Sequence, residues 1–169
     1  MKYLRFLPAI IFLALSFNAC KKPDEFPLVP AIEFKTIYTT RDAQGFDLNV
    51  HVTVSFTDGD GDIGYHSRES GLNDPIFDDP SSPYFNNFIV KTLILQNGIW
   101  NSIDTPVSAR LPYLTPEGPN KGLRGEIDRE LALPIGLVQD TLRYEIFIYD
   151  RTLNKSNTVN TSAIILSTH

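Results

Sequence analysis

The chain has 169 residues, with 20 acidic against 15 basic side chains and a net charge of −5. That balance disfavours nucleic-acid binding, which needs clustered Lys and Arg against phosphate. The length suits one domain with a real core, and a single cysteine excludes an internal disulfide or a cysteine-rich zinc cluster.

The first element in chain order is a leader. Lys2 and Arg5 precede an apolar run from Leu7 to Phe17, long enough for a signal segment and too short to span a bilayer. Ala19 then stands before Cys20, the only cysteine. Phe17-Asn18-Ala19-Cys20 resembles the lipobox of bacterial lipoproteins, although Phe17 stands where that family usually has Leu. The resemblance implies cleavage after residue 19 and lipidation of Cys20. It also implies a multiply acylated anchor, which holds more firmly than a single chain. The leader carries two basic residues and no acidic one, so its removal shifts the net charge from −5 to −7. No later apolar run approaches membrane-spanning length.

Residues 20–30 read as a tether, with Pro23, Pro27 and Pro30 and no periodicity. Lys22-Pro23-Asp24-Glu25 resembles the short acidic surface-export signals of Bacteroidota lipoproteins; a charged, solvated linker is the plainer reading.

From residue 31 to 169 the sequence predicts one β domain. Phe46, Leu48, Val50, Val52, Val54 and Phe56 alternate with polar residues, the period of a half-buried strand. Leu142, Tyr144, Ile146 and Ile148 repeat the pattern. Seven strands follow, labelled A (31–39), B (46–57), C (87–97), D (105–111), E (122–131), F (140–150) and G (157–167). Asn97-Gly98 suits a tight turn into Ile99-Trp100. No window shows a helical stripe. The pattern predicts an all-β, two-sheet antiparallel sandwich, and it resembles the immunoglobulin-like fold in the broad sense that includes fibronectin type III and cadherin-like domains. Its B–C connection of about thirty residues far exceeds ordinary loop lengths.

Strand B runs into Asp58-Gly59-Asp60-Gly61-Asp62-Ile63-Gly64. Carboxylates this close repel, and a hard cation relieves the repulsion. Calcium accepts carboxylate and carbonyl oxygens, whereas zinc prefers His and Cys. Asp58, Asp60 and Asp62 match positions one, three and five of an EF-hand loop, and Glu69 matches position twelve. Ile63 stands where that loop needs Gly, and a strand precedes it, so the EF-hand is rejected and Glu69 is kept only as a candidate ligand. In an immunoglobulin-like sandwich the F–G loop shares an end with the B–C loop, which places Asp150 and Asn154 opposite the aspartates. The candidate metal ligands are thus Asp58, Asp60, Asp62, Asp150, Asn154 and Glu69, with calcium as the ion. A solvated acidic turn without metal is the alternative.

These two loops together resemble a group of Bacteroidota surface lipoproteins with one such sandwich. The resemblance implies fold and an outer-membrane, lipid-anchored location, the cell surface ahead of the periplasmic face. It names no activity.

The remainder of the long loop is rich in proline and aromatics. Phe77, Tyr84 and Phe85 either form a recognition surface for glycan or protein, or tuck over the end of the sandwich. Trp100 reads as a packing residue. His51, His66 and His169 show no metal spacing, and no Gly-x-Ser-x-Gly motif occurs. A glycosidase carboxylate pair is a weak possibility beside a cation site. The sequence therefore predicts a non-enzymatic, calcium-stabilised binding or accessory subunit of an outer-membrane protein complex. Its rivals are a free-standing adhesin or glycan-binding module and, more remotely, a hydrolase.

Overall fold

The computed structural model describes residues 25–66, 74–133 and 140–167. The expected leader, Cys20 and Glu69 lie outside the described residues.

The described chain is a sandwich of two antiparallel sheets. The first sheet has the order β1-β2-β5, formed by Ala31–Arg41, Asp47–Asp58 and Leu123–Ala132. The second has the order β4-β3-β6-β7, formed by Ile99–Ile103, Phe88–Gln96, Thr141–Ile148 and Val159–Asn160, with β8 (Ile164–Ile165) also pairing β6. A four-residue helix, α1 (Pro75–Asp78), lies within the long loop.

Two apolar stripes dominate the core. Val50, Val52 and Val54 of β2 and Leu142, Tyr144, Ile146 and Ile148 of β6 are all fully buried. They meet Ile127 and Leu131 of β5 and Phe88, Val90 and Ile94 of β3 in one cluster. Truncating such a residue costs about 2–5 kcal/mol. The β2 alternation fails at its start, where Leu48 is exposed and Asp47 is buried. A register irregularity at Thr40/Arg41 turns Asp47 inward. There it accepts hydrogen bonds from Arg41 Nε at 2.8 Å and the Ser167 N–H at 2.6 Å.

Strand D is corrected. Val107, Ala109 and Leu111 are buried in alternation, as a strand requires, yet only Ala109 bridges to β3, through Phe88. Side chains replace the rest of the ladder. Ser108 Oγ accepts from the Val90 N–H at 3.0 Å, and Asn87 Oδ1 accepts from the Leu111 N–H at 2.6 Å. The regular partner of β3 is instead β4, which leaves the Asn97-Gly98 turn and pairs Leu95 with Trp100. Strand G is split. Residues 161–163 face two residues of β6, a bulge in which Thr161 Oγ1 accepts from the Tyr144 N–H at 3.0 Å.

The long loop packs inward. Phe77 is only 1% exposed, which leaves no ring surface for a partner. Tyr84 meets Phe77 and Tyr149 edge-on, at centroid distances of 6.5 and 5.0 Å. The Arg110 guanidinium lies 3.8 Å from the Tyr65 ring and 4.3 Å from the Phe85 ring, and donates to the Phe77 carbonyl at 2.6 Å. A fixed cation between two rings and a carbonyl holds the loop against the domain.

Candidate metal centre

The two core stripes end alike. The next inward position of β2 after Phe56 is Asp58, and the next after Ile148 of β6 is Asp150. Both aspartates are fully buried, and Asp62 is 8% exposed. One carboxylate oxygen from each of Asp58, Asp62 and Asp150 lies within 4.8 Å of the other two. The opposed sheets thus deliver one acid each to the same end of the core, and the loop after β2 supplies the third.

Backbone contacts hold the acids there. Asp58 Oδ2 accepts the Asp62 N–H at 2.8 Å, closing the turn from Asp58 to Asp62. The Asp62 carbonyl and carboxylate accept the N–H groups of Arg151 and Thr152, both at 3.2 Å. Ile63 and Asp150 form an antiparallel bridge. Gly61 (φ +64°) and Gly64 (φ +84°) sit so close to other backbone that a Cβ would collide with the carbonyls of Lys121 and Pro112. Left-handed backbone and close approach both demand glycine here.

Each expected ligand among the described residues takes a distinct place. Asp58, Asp62 and Asp150 converge. Asp60 stands on the turn between Asp58 and Asp62 and falls outside the close group. Its Oδ1 is nonetheless buried without a hydrogen-bond partner. Asn154 serves Asp150: its N–H donates to Asp150 Oδ1 at 2.7 Å and its Nδ2 to Oδ2 at 2.8 Å. Thr152 Oγ1 also donates to Asp150 Oδ1, at 3.0 Å. Asp150 is therefore fixed by its own loop.

The other two acids are not satisfied. Asp58 Oδ1 and Asp62 Oδ1 are buried with no hydrogen-bond partner. Burial pushes the Asp58 carboxyl up to about 7, and the charges of Asp60, Asp62 and Asp150 add to it against the opposing Asp62 N–H. Burial likewise raises Asp62 to about 6, with Asp150 and Asp60 adding and Arg151 and the Thr152 N–H opposing. Arg151 does not neutralise the cluster directly. It donates to the Ile63 and Gly64 carbonyls at 3.4 and 3.3 Å and to Thr115 Oγ1 at 2.7 Å, and lies 4.6 Å from the Tyr113 ring centroid. Arg151 is a residue of this site that alternation and acidic spacing do not point to. Its signal was a lone cation directly after an acid at the end of a core strand.

An all-oxygen donor set with two orphaned buried oxygens fits a hard cation. It lacks the nitrogen and sulfur that zinc favours. No protein-family model, no curated protein and no solved structure matches this chain. The functional reading therefore rests on the chemistry of the site and on the sequence.

Proposed function

We propose that this protein is a calcium-stabilised, non-enzymatic β-sandwich lipoprotein. Lipid on Cys20 holds it at an outer membrane, with the cell surface ahead of the periplasmic face. It works there as a binding or accessory subunit of an outer-membrane protein complex. One observation carries the metal reading: both core stripes end on buried aspartates that converge with Asp62, and two of their oxygens have no partner. A divalent cation supplies the missing positive charge. Asp58, Asp62 and Asp150 would hold it, with Asp60 close enough to raise its neighbours' proton affinity and Asn154 orienting Asp150.

The leader and Cys20 support the anchor. A non-catalytic role is favoured by the histidines' surroundings: His51 stacks on Tyr38 and pairs with Glu130, while His66 stacks on Tyr113. The inward packing of the loop aromatics favours an accessory role over glycan capture.

Two experiments test this. Pull-down from gently solubilised membranes should recover a stable membrane-protein partner; no partner together with glycan-array binding would favour the adhesin. Cys20→Ala should abolish lipidation and membrane partitioning. Membrane retention with an unchanged processed mass would refute the anchor.

A further inference from the structure

The fold lays its own N-terminal segment against the metal loop. Gly59 stands between Asp58 and Asp60, and its N–H donates to the Pro27 carbonyl at 2.8 Å. A Cβ on Gly59 would collide with the Phe26 carbonyl oxygen and lie 2.8 Å from that of Pro27. The two backbones therefore touch with no side chain between them. Arg124 of β5 lies 5.2 Å from the Phe26 ring centroid. Beyond these contacts the segment is exposed, Leu28 by 63% and Val29 by 48%, until Pro30 is buried before β1. It is a strap held by a backbone hydrogen bond and one half-buried ring, beside the carboxylates.

We infer that cation binding at the carboxylates and seating of the strap Phe26–Leu28 are coupled, each strengthening the other. The inference rests on the calcium reading above. A cation drawing Asp58 and its neighbours together fixes Gly59, and so fixes the N–H that donates to Pro27. Without the cation, repulsion spreads the loop. A shift of about an ångström at Gly59 takes its hydrogen bond beyond effective length. Because binding couplings are reciprocal, a strap that seats better when the ion is bound must tighten the ion in return. Release also changes reach. Seated, the strap is held to the domain at Phe26 and Pro27; released, the chain is held from Pro30. The freed residues add about 14 Å of extended chain at roughly 3.3–3.6 Å each. A domain tethered through its N-terminus would then stand off farther when the cation is scarce.

The test uses the full chain, calcium chloride titrated by calorimetry, and amide exchange at Gly59. In the wild type, calcium should slow Gly59 exchange by about tenfold or more. Phe26→Ala leaves every carboxylate and the loop sequence intact, yet should weaken calcium at least about fivefold, the lower range of ordinary site coupling. Gly59→Ala should weaken it further. If the wild type binds calcium with unchanged Gly59 exchange, and Phe26→Ala binds with wild-type affinity, the coupling is overturned while the calcium site stands. If the wild type does not bind calcium, both fall.

Discussion

Asp47 and Asp58 sit at opposite ends of the same strand, both buried, and their surroundings drive them in opposite directions. At Asp47, burial raises the carboxyl, but the Ser167 N–H, Thr39 and Arg41 outweigh it and leave the group below its ordinary value. At Asp58, burial and three neighbouring acids push it up to about 7, against one N–H. Burial alone therefore does not make a site. Asp47 has its donors and its cation, and serves as a clasp between β2 and the chain end. Asp58 has one buried oxygen without a donor and negative charge around it. On the proposed reading, a cation supplies at this end of β2 what Arg41 supplies at the other.

The largest test supplies that charge. Calcium at a hundredfold excess over its dissociation constant stabilises a folded-state binder by about 2.7 kcal/mol. For a domain of this size that is a rise of roughly 5–10 °C in Tm. Thermal melts with calcium and with chelator should show it in the wild type. Asp150→Ala should lose most of the response; an unchanged response would remove the second loop from the site. Asp60→Ala should keep part of it, because Asp60 lies outside the close group. A wild type indifferent to calcium and chelator would return the loop to a plain acidic turn.

Next in size is substitution at the two ends of β2. Asp47→Ala should destabilise by about 2 kcal/mol, because it strips a charged acceptor from the part-buried Ser167 N–H and from Arg41 Nε. Asp58→Ala in chelator should cost less than that or even stabilise, since it removes repulsion along with one hydrogen bond. Denaturant melts of both variants without metal decide the order. A larger loss at Asp58 than at Asp47 would break the comparison.

Titration separates the two ends by a slope of about 1 kcal/mol per pH unit. Asp58 and Asp62 have raised folded values, so in chelator they bind more protons folded than unfolded between about 4 and about 7. Stability without metal should therefore rise as pH falls through that window. Asp47 has a lowered folded value, so its contribution is present above the unfolded value of 3.8 and is lost on further acidification. A maximum in the mildly acidic range follows. With calcium the slope across the window should reverse, because protons compete with the ion. Chemical melts from about pH 2.5 to 8 with and without calcium test both signs, because the Asp47 loss appears only below 3.8.

Much of this architecture was legible because strands with one buried face must alternate. The β2 and β6 stripes set the sheets, and Asn97-Gly98 marked the hairpin. Where side chains did the work of backbone, the sequence misled. Ser108 and Asn87 replace ladder bonds along residues 105–111, and Thr161 fills the bulge between β7 and β8. No periodicity records such substitutions. The carboxylates were visible from their spacing, but Asp58 and Asp150 carry a sharper mark. Each occupies the next inward position of an unbroken apolar stripe, where a charge is costly unless matched. By contrast, the separation of Asp60 from its neighbours depends on the turn that the Asp62 N–H closes, a three-dimensional fact that alternation with glycine does not reveal.

The smallest effect tests how Asp150 is held. Asn154 Nδ2 donates to Asp150 Oδ2 at 2.8 Å and also to Thr152 Oγ1 at 2.9 Å. Asn154→Ala deletes both but keeps the backbone N–H that reaches Asp150 Oδ1 at 2.7 Å. Loss of one charge-assisted bond in a partly exposed loop should cost about 1 kcal/mol of stability. If Asn154 orients Asp150 without touching the ion, calcium should still bind, weakened by less than about tenfold. If Asn154 ligates through its side-chain oxygen, the variant should lose calcium as severely as Asp150→Ala. Calcium titration of the two variants side by side distinguishes a positioning residue from a ligand. Asn154→Asp sharpens the result, because a carboxylate there places like charge on Asp150 and loses the Nδ2 donor, so a positioning role predicts weaker binding despite the added negative charge.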